Sequence, residues 1–188
     1  MAEASHRLPR PAAGAGRRAD TEGSHDGSSL RVAVACARFH EEVTTRLLSG
    51  ALRALDEHGV GLSNRLVTFV PGSFELPLAA QALAHSGGFD AIVCLGAVVR
   101  GETSHYDLVA GECAAGLARV QLDANIPVAF GVLTTENLEQ ALERSGGSVG
   151  DKGEEAVTTA IEMANVLRVI SVAGAELRHA SRGRLRGR

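Results

Sequence analysis

The chain has 188 residues, 45% hydrophobic and 22% charged, with a formal net charge of −3. That is long enough for one domain with tails and a sizeable buried core. Five Phe, one Tyr and no Trp argue against an aromatic stacking platform for single-stranded nucleic acid. A mean hydropathy of +0.05, with no uninterrupted apolar run of roughly 18 residues, argues against a membrane span.

Charge is spread unevenly. Residues 1–29 balance four Arg against four acids, while residues 178–188 hold five Arg and no acid, which leaves −8 on the rest. An acidic body with a basic tail is not the footprint of a nucleic-acid-binding domain; the tail leaves room only for weak, salt-sensitive contacts with polyanions. Cys36, Cys94 and Cys113 form no C-x-x-C pair. They read as buried thiols of a reducing compartment, not as a zinc site or disulfide framework. The N-terminus lacks an apolar signal segment, so a cytoplasmic location is expected.

In chain order, residues 1–29 are rich in Gly, Ser, Ala, Arg and Pro and are expected to be a disordered extension. Val32–Ala37 is a short apolar run suited to a strand buried on both faces. Glu41–His58 spaces Val43, Leu47, Leu48, Ala51, Leu52 and Leu55 as a helix, with Gly59 as its stop. Arg65–Val70 is a second strand ended by Pro71-Gly72, and Phe74–His85 a helix with Pro77 in its opening turn. Ala91–Val99 is the strongest strand; the polar loop Arg100–His105 leads to a helix over roughly Tyr106–Ala124. Ile126–Leu133 is a fourth strand, and Thr134 or Thr135 can cap a short helix through about Arg144. Gly146–Gly153 reads as a flexible connection, and the last helix runs from Asp151 to about Ile170.

Four strand–helix repeats predict an α/β fold, a three-layer sandwich with a four-stranded parallel sheet and helices on both faces. Ligands in such sheets bind beyond the carboxyl ends of the strands. Those ends carry Arg38-Phe39-His40, Pro71–Glu75, Arg100–His105 and Thr134–Asn137. The seven His show no metal-ligand spacing, and neither a P-loop nor a G-x-G-x-x-G after the first strand is present. The Gly-rich run at 146–153 does not follow a strand, so it reads as a mobile loop and not a phosphate cradle.

Four segments carry a resemblance: Val70–Pro77 (VPGSFELP), Gly96–Asp107 (GAVVRGETSHYD), Gly131–Arg144 (GVLTTENLEQALER) and Ala160–Asn165 (AIEMAN). Together, over roughly residues 30–170, the sequence resembles the 6,7-dimethyl-8-ribityllumazine synthase family. The resemblance implies a flavodoxin-like domain over residues 30–172, between the extension 1–29 and an Arg-rich tail 173–188. It also implies condensation of 5-amino-6-(D-ribitylamino)uracil with 3,4-dihydroxy-2-butanone 4-phosphate, releasing phosphate and water, without metal or organic cofactor. Implied partners are these two small molecules and further copies of the chain, as a pentamer or, with twelve pentamers, an icosahedral 60-mer.

The resemblance also implies roles. His105 matches the proton-transfer residue, a suitable group because imidazole titrates near neutrality. Phe39 matches the ring that stacks on the uracil, and Ser73, Phe74 and Glu75 the segment holding ring and ribityl chain. Ala97, Val98 and Val99 would offer backbone groups to the pyrimidine edge, and Phe130 would reach in from a neighbouring subunit. Gly101, Glu102 (through its backbone) and Thr103 would hold phosphate at a helix N-terminus, with Arg144 and Lys152 as further phosphate ligands. His40 departs from the small polar residue frequent in the family, and no role is read for it. Two other classes compete: a flavodoxin-like module binding a flavin or nucleotide, and a shell-forming scaffold, both without turnover.

Overall fold

The computed structural model describes residues 22–186. Its main sheet has four strands, β1 (Val32–Ala37), β2 (Arg65–Val70), β3 (Ala91–Val99) and β4 (Val128–Thr135). They are parallel throughout, in the order β2-β1-β3-β4. The crossovers are α1 (Glu41–Glu57), α2 (Leu76–His85) and α3 (His105–Ala124), followed by α4 (Leu138–Glu143) and α5 (Lys152–Arg186).

Alternation along the strands divides the core into two layers. Val32, Val34 and Cys36 of β1 face α1 and α5, where they meet Val43, Leu47, Leu55, Val157 and Ile161. Ala33, Ala35 and Ala37 face the other way, toward Leu76 and Ala80 of α2 and Cys113, Leu117 and Val120 of α3. Eight of the nine β3 residues are buried, as a central strand covered on both faces requires. The three-layer sandwich is therefore as expected. Where α1 and α5 cross, a Cβ on Gly153 would lie 2.0 Å from the Leu47 carbonyl oxygen, so only glycine permits the approach.

Several boundaries differ from the expected ones. The turn before α2 is a single 3-10 turn, Ser73–Glu75. Helix α4 is capped by Asn137, whose Oδ1 accepts from the Gln140 amide at 2.9 Å, and not by Thr134 or Thr135. The Thr135 hydroxyl instead donates to the Asn137 carbonyl. The Gly-rich connection forms a small antiparallel hairpin, β5 (Ser145–Gly147) with β6 (Gly150–Asp151), because Gly146 and Gly150 supply φ values of 96° and 111°.

Helix α5 does not stop near Ile170; its backbone continues to Arg186. Over Lys152–Arg178 it has the length and hydropathy of a membrane-crossing helix, but Val157, Ala160, Ile161 and Ala164 of its first half are core residues. Of the extension expected to be disordered, residues 1–21 lie outside the described residues. Ser24 and Asp26 give their carbonyls to the Asn165 side chain at 2.7 and 2.9 Å, and Arg168 donates to the Ser29 hydroxyl. This segment therefore packs on α5.

Both edge strands leave apolar side chains open. Phe69 of edge strand β2 is 53% exposed. Phe89 packs against the α2–α3 layer.

Candidate active site

The sheet reverses its winding between β1 and β3, and there the ladder opens. Pairing of β1 with β3 ends at Cys36 and Leu95, whereas β3 continues beside β4 as far as Val99 and Thr135. On the β1 side, the backbone of Gly96–Val99 thus has no strand partner. A cleft of about 280 Å3 occupies this place, lined by Ala97, Val98 and Val99 from the strand end.

One wall comes from the loops after β1 and β2, laced together by hydrogen bonds from the Arg38 and Phe39 amides to the Val70 and Pro71 carbonyls. Phe39 is 68% exposed, and its ring lies against Gly72, where an added Cβ would come within 2.8 Å. His40 follows at φ 60°, ψ 52°, the left-handed region that Asn, Asp and His tolerate best among residues with a Cβ. Its carbonyl starts α1 by accepting from the Val43 and Thr44 amides.

Ser73 sits at the floor. It is 4% exposed, and its hydroxyl has no hydrogen-bond partner among the described residues. It points at Gly96, where a Cβ would be 2.6 Å from the hydroxyl oxygen. A buried hydroxyl left unpaired is costly unless a ligand satisfies it. Phe74 and Glu75 line an adjoining groove that shares Phe39, Ser73 and His105 with the cleft. One Glu75 oxygen accepts from the Gly72 amide at 2.9 Å, which orients the carboxylate.

The opposite wall is the start of α3. His105 is its first residue; the imidazole lines both grooves and has no hydrogen-bond partner among the described residues. Gly101 and Thr103 also line the cleft, and the Thr103 hydroxyl accepts from the His105 amide at 3.4 Å. The dipole at the start of a 20-residue helix makes this end favourable for an anion, although the His105 and Asp107 amides already have local partners. Glu102 is exposed beside it and does not line the cleft. Tyr106 and Val109 complete the wall. The sequence reading missed Val109, although a residue four positions after His105 on a helix shares its face.

Three expected site residues lie elsewhere. Phe130 is in the middle of edge strand β4, opposite Cys94 and 45% exposed. Arg144 ends α4, with one guanidinium nitrogen on the Gln140 carbonyl at 3.1 Å. The Lys152 amide donates to the Arg144 carbonyl, and the Lys152 ammonium pairs with Glu155 at 2.6 Å. None of the three lines the cleft.

Comparison with known families matches the 6,7-dimethyl-8-ribityllumazine synthase model to residues 29–168. The chain belongs to that family. It is accordingly an enzyme of riboflavin biosynthesis that forms 6,7-dimethyl-8-ribityllumazine. The match begins just before β1 and ends within α5, so all the cleft residues of this lumazine synthase lie inside it.

Proposed function

We propose that the cleft at the β1–β3 opening condenses 5-amino-6-(D-ribitylamino)uracil with 3,4-dihydroxy-2-butanone 4-phosphate, with His105 moving the protons. The observation that carries this reading is the position of the unpartnered His105 imidazole, in one cleft with the exposed Phe39 ring and the N-terminus of α3. Phe39 stacks on the pyrimidine, a flat ring that gains both apolar contact and offset stacking. The free backbone edge of Ala97–Val99 reads the pyrimidine polar groups, and Ser73, Phe74 and Glu75 take the ribityl chain. The phosphate rests on the amides of Gly101, Glu102 and Thr103, where the helix dipole favours it.

The chemistry follows from that placement. The substrate amine attacks the ketone, and water leaves to give an imine. Phosphate is then eliminated, and ring closure releases a second water. Each step needs a proton delivered or removed, and one imidazole between the two substrates can do both.

Phe130, Arg144 and Lys152 serve the same site from a neighbouring copy. Phe130 is carried on the open edge of the sheet, and the two cations, joined by a backbone hydrogen bond, stand apart from the cleft of their own chain. This reading requires a closed ring in which each cleft is completed by the next subunit, and the family resemblance implies a ring of five. A cytoplasmic location is supported by three free, buried cysteines, which suit a reducing compartment. Purified protein given both substrates should produce the lumazine chromophore, and His105→Ala should not. A wild-type preparation that binds both substrates without forming the chromophore would overturn the reading. Light scattering distinguishes a pentamer from a 60-mer.

A further inference from the structure

Arg100 stands at the end of β3 beside the candidate active site and outside the cleft lining. Its guanidinium carries three engagements. The Nε donates to the Glu136 carboxylate just past β4 at 2.9 Å, and one terminal nitrogen lies 3.2 Å from the Asp107 carboxylate in the first turn of α3. The guanidinium carbon also lies 4.0 Å over the centre of the Tyr106 ring. The Arg100 amide, in turn, donates to the Thr135 carbonyl. One side chain therefore ties the ends of β3 and β4 to the two residues that follow His105.

The loop it spans has little else to hold it. Residues 101–105 are all exposed, no side chain caps α3, and the His105 imidazole has no partner among the described residues. A cation beside a phosphate site would ordinarily be taken for a phosphate ligand. Here two carboxylates and an aromatic face already occupy the guanidinium. We infer that Arg100 is a positioning residue, which fixes the first turn of α3 and so holds the His105 imidazole in register with the substrates. The inference rests on the cleft being the active site. The fork and the flat stacking face are both needed, so lysine cannot replace arginine here.

The test measures Arg100→Lys and Arg100→Met by steady-state kinetics and by amide hydrogen exchange. Both variants should lose about tenfold in kcat per assembled subunit with KM for either substrate within about twofold, the signature of a group felt in the transition state. Exchange should quicken over residues 101–107 and stay unchanged over Cys113–Val120. Wild-type kcat would overturn the inference, as would a raised KM with unchanged kcat, which would make Arg100 a ligand. A lower kcat with unaltered exchange would overturn it too. Should either variant fail to fold, Glu136→Ala and Asp107→Ala each remove one anchor, and each should lower kcat without moving KM. Failure of the cleft assignment itself is separately visible, as a His105→Ala variant that keeps wild-type turnover.

Discussion

A site shared between subunits predicts a specific yield when two inactive variants are mixed. In the β3–β4 register Phe130 lies opposite Cys94, and Thr134 opposite Val98, which lines the cleft. Four residues at about 3.3 Å each carry Phe130 about 13 Å down the strand from the cleft level, well beyond its side chain's reach. Within one chain, Phe130 therefore stands outside the cleft that His105 lines. One variant is His105→Ala; the other combines Phe130→Ala with Arg144→Ala. In a ring assembled from equal amounts of both, a site is intact only where a cleft of the double variant meets the open edge of a His105→Ala subunit. Random assembly places each of those with even odds, so about a quarter of the wild-type activity should return. The assay unfolds and reassembles the mixture, then follows lumazine absorbance per subunit, with mass measurement to confirm mixed rings. Activity at the mean of the two parents in verified mixed rings would refute the shared site.

Three further outcomes follow. His105→Ala should lower kcat by about 10²- to 10³-fold, the usual worth of a positioned acid–base group, with Tm unchanged because the imidazole holds nothing in place; equal kcat in calorimetrically intact protein would count against its role. Arg144→Ala should raise KM for the butanone phosphate about tenfold and leave KM for the uracil unaltered, as loss of a charge-assisted contact to phosphate requires; a parallel rise in both would assign the effect to folding. Burial pushes the Cys36 and Cys113 thiols up to about 11 and raises Cys94 as well. An aromatic disulfide reagent at pH 8 should label none of the three until the protein unfolds. Because these pKa values are higher in the folded state, their contribution to stability is complete below about pH 9 and lost as pH climbs toward 11. A Tm that stays flat across that interval would contradict the burial argument.

The layered fold was legible in the sequence because each strand is a short apolar run and each helix keeps a regular apolar stripe. Misplaced boundaries came from side chains whose work depends on the third dimension. Thr135 looked like a cap for α4, but its hydroxyl donates to the Asn137 carbonyl while Asn137 makes the cap. The run at 146–153 looked mobile because glycine count alone cannot distinguish looseness from a hairpin that requires positive φ. Of the site residues, Phe39, Ser73 to Glu75, Ala97 to Val99, Thr103 and His105 converge as the strand-end rule predicts. Arg144 and Lys152 lie outside the cleft, since a motif records order along a chain and not what the fold brings together. Arg100 was equally opaque, because its meaning lies in Glu136, thirty-six residues away.

The scarcity of aromatics takes on another sense in the folded chain. Four of the five Phe, at positions 39, 69, 74 and 130, are between 45% and 68% exposed, although aromatics are ordinarily among the more buried residues. The core is filled by Val, Leu, Ile and Ala, whose small volumes let α2 and α3 settle on the alanine face of β1. Large rings are thus spent where one chain has nothing to cover them: two on the cleft walls and two on the open sheet edges. Exposing such rings costs the isolated chain apolar surface that only substrate or another copy can cover. On the proposed shared site, a small monomer holds only part of what catalysis needs, and ligand binding and subunit assembly draw on the same unburied surface. If that coupling holds, occupancy of the cleft by either substrate should raise the concentration of denaturant needed to separate the subunits.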